Sequence, residues 1–213
     1  MYDLPDPLQI LTDPPTKSHF KKLTRKKILD HWHRRIVTEV KSKSSLKFLR
    51  PEFLPLGMGP HPIWTSCGDS PTATRSATIV CQILSGRYRD DYLSSKWSDN
   101  PGNCSNCGQY PGNVTHYLSG NCPALSTSLM NTLEHSLSSL PLFPDFASIV
   151  HCALSRSSFE WTKFVLDPTT DPQVINIKQN YGVTSIWPLL KLCRGYVWTM
   201  HRQRMRLSDS VTS

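Results

Sequence analysis

The sequence predicts a mainly α-helical protein, and three observations carry that expectation. Apolar residues recur three and four positions apart in several separated segments, the mark of helices that bury one face. A stretch dense in proline and glycine, residues 51–71, lies between two such parts. Farther on, one short Gly/Pro-rich window, 104–122, gathers three cysteines and a histidine. With 38% hydrophobic residues and 17 prolines in 213, the core is expected in pieces, as one or two small units.

Residues 1–16 hold Pro5, Pro7, Pro14 and Pro15 among acids and read as an extended, poorly ordered lead-in. Residues 17–50 form a basic amphipathic helix region. There Ile28, Leu29, Trp32, Ile36, Val37 and Val40 stand at helical spacing, with Thr24 as the expected N-cap. The opposite face carries Lys26, Lys27, Arg34, Arg35 and Lys41, while the run KKLTRKK at 21–27 resembles a localisation signal or a phosphate-binding run. A solvated polar face accounts for the same charges. Residues 51–71 read as a linker from which Trp64 docks on a neighbouring helix. The remainder, 72–207, is expected to be one helical domain, followed by a tail at 208–213.

That domain opens with PTATRSATIVCQILSG, a buried helix with Ala73, Ala77, Val80, Cys81 and Leu84 on one face, Thr72 as cap and Gly86 as stop. Next comes Tyr88-Arg89-Asp90-Asp91, which has the Y-x-D-D spacing of polymerase active sites. Two-metal phosphoryl transfer needs such aspartates on a tight hairpin between apolar strands, beside a third carboxylate. Here the run follows a helix stop and precedes SSKWSDNPGN, so Asp90 and Asp91 read as a solvated turn.

Cys104, Cys107, His116 and Cys122 are separated by two, eight and five residues. A C-x-x-C pair on a tight turn presents two thiolates to one ion, and Zn2+ takes four such soft or borderline ligands in a tetrahedron. Gly108, Pro111, Gly112 and Gly120 supply the bends that bring His116 and Cys122 back to the pair. The spacing therefore predicts a zinc-stapled loop. A redox C-x-x-C would want a strand before it and a helix after, and a disulfide would leave one of the three cysteines over. The eight-residue gap also departs from the short retroviral knuckle, C-x2-C-x4-H-x4-C. Since residues 101–122 hold few large apolar side chains while the flanking helices carry their own stripes, the metal is expected to hold the loop and not the whole fold.

Beyond the loop, Leu125, Leu129, Leu133, Leu137 and Leu140 recur mostly every four residues, and PDFASIVHCALSRS is again helical. Pro144-Asp145 has the look of a restriction-type nuclease motif, but Glu160 and Lys163 stand one residue too far apart to complete it, so Asp145 reads as a helix cap. After FVLDPTTDPQV, read as a turn, a last helix buries Ile186, Leu189, Leu190, Cys193, Val197 and Met200. Arg202, Arg204 and Arg206 gather at its end, where they suit either the helix dipole or a phosphate.

Charge is unevenly distributed. Of the formal net +8, residues 17–50 carry twelve Lys/Arg against Asp30 and Glu39, a net of +10, while 101–150 contain no Lys or Arg. Any electrostatic hold on nucleic acid must come from the flanks: Lys21, Lys22, Arg25, Lys26, Lys27, Arg34 and Arg35 on one side, Arg202, Arg204 and Arg206 on the other. Seven cysteines, three of them in the metal pattern, suit a reducing compartment, and Cys67, Cys81, Cys152 and Cys193 are expected as core thiols. No apolar run approaches the roughly 18–20 residues of a membrane span, and the start is no signal peptide, so a nuclear or cytoplasmic location is expected and no membrane partner.

Several landmarks then fall in a telling order: HWHRRIVTEVKSKSSLKFLRP, HPIW, QILSGRY, Cys-x2-Cys-x8-His-x5-Cys, VLDP and LLKLCRGYVWTMHRQR. Together, over about residues 30–207, they resemble the C-terminal region of LINE-type (non-LTR) retrotransposon reverse transcriptases. The metal motif is the most specific of them. The resemblance implies Cys104, Cys107, His116 and Cys122 as zinc ligands, and a knuckle that holds template RNA or target DNA. It implies that the family's polymerase and endonuclease parts are absent, so that the chain is a non-catalytic fragment or remnant with RNA or DNA, and the polymerase body of the same element, as partners. A structural or protein-interaction piece, in which zinc only stabilises the fold, is the competing expectation.

Overall fold

The computed structural model describes residues 12–50, 61–99, 101–119, 122–125, a few positions between 131 and 136, and 160–211, with side chains as far as Met205. It is mainly helical, as expected, with no strand among the described residues. The chain divides into two compact units, residues 1–60 and 61–213. No described helix is long and apolar enough to cross a membrane. The lead-in before Thr12, the Pro/Gly-rich 51–60, Leu129, Leu137 and Leu140, and the segment holding Asp145 and Cys152 lie outside the described residues.

In the first unit, α1 spans Lys17–Ser42. It begins two turns before the predicted cap. Thr16, straight after Pro14 and Pro15, accepts a hydrogen bond from the His19 N–H (3.3 Å), and no helix breaker follows before Thr24. Of the expected apolar face only Val40 is buried, while Ile28, Trp32 and the unforeseen Phe20 are exposed. Arg35 pairs with Glu39 one turn on (2.9 Å) and lies over the Trp32 ring. A short 3-10 turn, Ser44–Leu46, follows the helix.

The second unit consists of α2 (Pro62–Thr65), α3 (Pro71–Leu84), α4 (Asp91–Ser94), α5 (Val114–Leu118), α6 (Trp161–Leu166), α7 (Pro172–Tyr181) and α8 (Trp187–Val211). Its centre is α8, which packs against α2, α3, α5 and α6. Ile186, Leu189, Leu190, Cys193, Val197 and Met200, the stripe the spacing predicts, are all buried. Val80 and Ile83 of α3, Phe164 and Val165 of α6, and Val174 and Ile177 of α7 complete the core. Leu125 and Leu133 of the leucine stripe are buried as well. The Cys193 thiol is pushed up to about 12 by burial, which makes it an inert core group, and Cys67 is buried too.

Three sequence expectations give way here, each through proline. Residues 61–71, read as linker, fold as part of this unit: His61 caps α2, Ile63 and Cys67 are buried, and Pro62 fits the first helical turn. Trp64, though 37% exposed, does dock as expected, with its side chain hydrogen-bonded to Cys81 of α3. The cap of α3 is Ser70 rather than Thr72, since Pro71 occupies the first turn. The span read as a turn around Pro168 and Pro172 holds a 3-10 turn and then α7, with Asp171 as cap and Pro172 again at the start. Gly86 ends α3 as expected, at φ 67°.

Two polar ties lock the α2 segment in place. Buried Arg194 of α8 donates to the Ile63 carbonyl (3.1 Å) and to Ser66 Oγ (2.8 Å), at the end of α2 where carbonyls have no helical partner. His61 faces Asp167 at 3.4 Å.

Two substitutions in α8 should move stability in opposite directions. Leu190→Ala removes a buried side chain and should cost about 2–5 kcal/mol. Gly195→Ala places a methyl where nothing lies within 4 Å and should gain about 0.5–1 kcal/mol through helix propensity. Urea unfolding followed by circular dichroism checks both.

Candidate metal centre

The loop that follows α3 is organised by two adjacent aspartates. Asp90 caps α4 by accepting from the Leu93 N–H (2.7 Å), and its other oxygen accepts from the Val114 N–H (3.0 Å) at the start of α5. Asp91 accepts from the Ser105 N–H (2.7 Å) and the Tyr117 hydroxyl (2.6 Å) through one oxygen, and from Arg204 Nη2 (2.8 Å) through the other. Both are buried, which corrects the expectation of a solvated turn. The run lacks strands on either side, as the sequence suggested, but its charges are absorbed by backbone N–H groups, a tyrosine and an arginine instead of water. Burial pushes the Asp90 carboxyl up against its two N–H donors. At Asp91 burial acts the same way, but the bonds from Tyr117, Ser105 and Arg204 outweigh it and hold the carboxyl below its ordinary value.

The C-x-x-C turn hangs on this frame through Ser105. It is closed by the Gly108 N–H donating to the Cys104 carbonyl (2.8 Å) and the Cys104 N–H donating to the Gln109 carbonyl (2.8 Å), with Gly108 at φ 75°. The returning chain passes so close that a Cβ at Gly112 would sit 2.6 Å from the Cys104 nitrogen, so this position admits only glycine without a shift. Asn113 then caps α5 by accepting from the His116 N–H (3.0 Å). This sets His116 on the metal side, while its neighbour Tyr117 reaches Asp91. Cys122 follows α5, and the N–H groups of Ala124 and Leu125 face its sulfur.

The four predicted ligands converge. Cys104 Sγ and Cys122 Sγ are 3.7 Å apart, Cys107 Sγ and His116 Nε2 are 3.3 Å apart, and all four ligand atoms lie within 4.8 Å of one another. Cys104 and Cys122 are buried, with Cys107 and His116 half-buried, and together the group could hold a metal ion. Burial keeps the His116 imidazole below its ordinary pKa and therefore neutral, as a ligand must be. Burial also pushes Cys122 up to about 12, a charge penalty that a bound cation reverses.

The loop is also fastened to the body of the unit. The Leu118 carbonyl at the end of α5 accepts from Trp161 Nε1 of α6 (3.0 Å) and from the Tyr196 hydroxyl of α8 (2.9 Å). With the Asp91–Arg204 pair, this joins the metal loop to α8.

The cations expected at nucleic acid have diverse surroundings. Lys21, Lys22, Arg25 and Lys26 are exposed on α1, and Lys27 is half-buried. Arg34 is exposed and donates to the Asp30 carbonyl (3.4 Å), and Arg35 is shared with Glu39. On α8, Arg202 is exposed, and the side chain of Arg206 lies outside the described residues. Arg204 is corrected: its guanidinium is turned inward onto Asp91, the Arg89 carbonyl and the rings of Tyr88 and Tyr117. Its task is internal.

Sequence reasoning missed Asp91, Tyr117 and Arg204 as the support of the centre. Nothing in their spacing announces a contact between residues 113 positions apart. Comparison with family models, with curated proteins and with solved structures finds no match to the chain.

Replacing Asp91 by Asn should cost about 3–5 kcal/mol, because it leaves the Arg204 charge buried without its partner. The pH dependence has a definite sign. A carboxyl whose pKa is lowered on folding binds its proton less tightly in the folded state, so the Asp91 contribution is complete above the ordinary aspartate range and fades as pH falls through the depressed value. Asp90, shifted upward, opposes it: ionising it weakens the fold as pH rises through that upper range. Urea titrations across acidic pH should therefore show an acid-side loss in the wild type that is shallower in Asp91→Asn.

Proposed function

We propose that Cys104, Cys107, His116 and Cys122 bind one Zn2+, and that the chain is a nucleic-acid-binding module in which the zinc loop positions RNA or DNA and basic surfaces attract it. Zinc is supported by the dimensions of the cluster. A tetrahedron with Zn–S of about 2.3 Å and Zn–N of about 2.0–2.1 Å has edges of about 3.8 Å between sulfurs and about 3.5 Å between sulfur and nitrogen. Two of the six spacings, 3.7 and 3.3 Å, lie close to those edges, and all six are within 4.8 Å. Three thiolates and one neutral imidazole give the centre a net charge of about −1, so it binds no phosphate by charge.

The observation that carries the nucleic-acid reading is the surface of α1. Lys21, Lys22, Arg25 and Lys26 are exposed in a helix whose acids are only Asp30 and Glu39. Neutralising phosphates with such cations releases condensed counterions. The order of landmarks resembling the end of non-LTR reverse transcriptases supports the same reading, with the polymerase body of such an element as a second partner. A stabilising role for zinc alone is favoured by one observation, the ties from the loop to α6 and α8 through Leu118 and Asp91.

Two measurements test this. X-ray absorption of protein purified without chelator should show a Zn–S shell near about 2.3 Å, and a spectrum without it ends the zinc assignment. In salt titrations of an oligonucleotide complex, replacing Lys21, Lys22, Arg25, Lys26 and Lys27 by Gln should flatten the slope of log affinity against log salt by up to about 3.5–4.5, at about 0.7–0.9 per phosphate contact. Cys104→Ser should weaken binding with the slope nearly unchanged. An unchanged slope in the five-fold Gln variant would leave the stabilising role as the better account.

A further inference from the structure

Beside the candidate metal loop, three aromatic side chains stand in solvent. Tyr92 is 39% exposed, Tyr110 64% and Trp97 74%, the last being the most exposed large hydrophobic group among the described residues. Two of them, Tyr92 and Tyr110, stand on well-anchored backbone. Tyr92 is the neighbour of Asp91 on α4, so the carboxylate that points inward fixes the ring that points outward. The Tyr92 N–H donates to the Gly112 carbonyl (3.1 Å), which draws α4 against the returning chain of the metal loop and brings the Tyr92 and Tyr110 rings edge to face at 5.9 Å. Tyr110 lies between the residue that closes the C-x-x-C turn and the glycine pressed on Cys104, so its position is set by the loop the metal would hold. Trp97 follows Tyr92 by little more than a turn, with its N–H donating to the Ser94 carbonyl (3.1 Å).

Exposed cations outnumber exposed acids in this stretch of chain. Lys96 Nζ sits 5.8 Å from the centre of the Tyr92 ring, and Arg87 and Arg89 are exposed just upstream. Of the nearby acids, Asp91 is neutralised by Arg204, Asp90 is buried on backbone N–H groups, and Asp99 alone is exposed. Solvent-facing rings, two of them paired on anchored backbone and one with a lysine beside it, suit a ligand with flat apolar faces and a negative thread. Unpaired bases on a phosphate backbone have that chemistry, whereas a duplex keeps its base faces stacked inside.

We propose that Tyr92, Trp97 and Tyr110 form a stacking platform for the unpaired bases of single-stranded nucleic acid, with Lys96 meeting the backbone. The inference rests on the nucleic-acid reading above and adds to it the strandedness of the ligand. It also gives the metal loop, which has no cation of its own, a direct contact with that ligand. The bulk of the salt dependence stays with the cations, because stacking involves no counterion release.

The test compares the metal-loaded full chain with Trp97→Ala/Tyr110→Ala and with Tyr110→Phe, by fluorescence anisotropy on one labelled oligonucleotide as a single strand and as its duplex. Metal content and helix signal of each variant are measured alongside. The wild type should prefer the single strand. The double alanine variant should lose about 5- to 150-fold of single-strand affinity per ring, with duplex affinity and salt slope kept. Tyr110→Phe, which keeps the ring, should bind as the wild type does. A double variant that holds its metal and still binds the single strand as tightly as wild type overturns the platform while the nucleic-acid reading stands, and would leave the rings to a protein surface. A wild type that binds neither strand form overturns both. Equal loss for single strand and duplex also overturns the platform, since it shows no selectivity for exposed bases.

Discussion

Asp91 places a negative charge where water barely reaches, and the surrounding structure is arranged to answer it. Three donors from three different parts of the chain converge on that one carboxylate: the Ser105 backbone of the C-x-x-C turn, the hydroxyl of Tyr117 on the histidine-bearing helix, and Arg204 of the terminal helix. Each alone is an ordinary contact. Together they place the two halves of the candidate metal centre relative to each other and relative to the core. A buried ion pair adds little net stability over well-packed apolar groups, so its value here lies in specifying one arrangement of a loop poor in apolar contacts. The energetic weight of the unit rests instead on Ile186, in the 3-10 turn before α8, and on the α8 face from Leu189 to Met200.

Much of this was legible in the sequence because it is written at short range. The Cys/His window lies within nineteen residues, and its glycines announce the bends that bring the ligands together. The apolar stripe of α8 repeats at the helical period, and every member the spacing nominated is buried. What stayed hidden depends on partners far along the chain. The Asp90-Asp91 pair looks like a polar turn until Arg204 and Val114 are seen to reach it. Arg204 looks like its neighbour Arg202, since nothing local tells an inward guanidinium from an outward one. Prolines misled for a different reason. In the sequence they look like breaks, yet Pro62, Pro71 and Pro172 each stand in the first turn of a helix, where the missing N–H has no intrahelical partner to lose.

The two units divide the physical labour. Residues 61–213 hold the core and the Cys/His cluster, and their polar ties run inward. In residues 1–60, α1 buries only Val40 and turns most of its cations to solvent. A helix of 26 residues with so little buried surface draws its order from caps, ion pairs and propensity, as with Thr16 at its start and Arg35–Glu39 near its end. Such a helix is responsive to salt and to anything that covers its charges.

The adjacency of His116 and Tyr117 reaches into how this stretch of chain can vary in length. Two consecutive residues of a five-residue helix serve two centres, one facing the cysteines and the other the Asp91 carboxylate. Successive helical positions are rotated by about 100°, so one inserted residue between Cys104 and His116 would have to be absorbed entirely before Asn113, where Gly112 is already pressed against Cys104. The exposed run from Lys96 to Asp99 has no such clamp. Among related chains, gaps in an alignment should therefore gather between α4 and Cys104, and the interval from the first cysteine to the tyrosine should keep a constant number of residues.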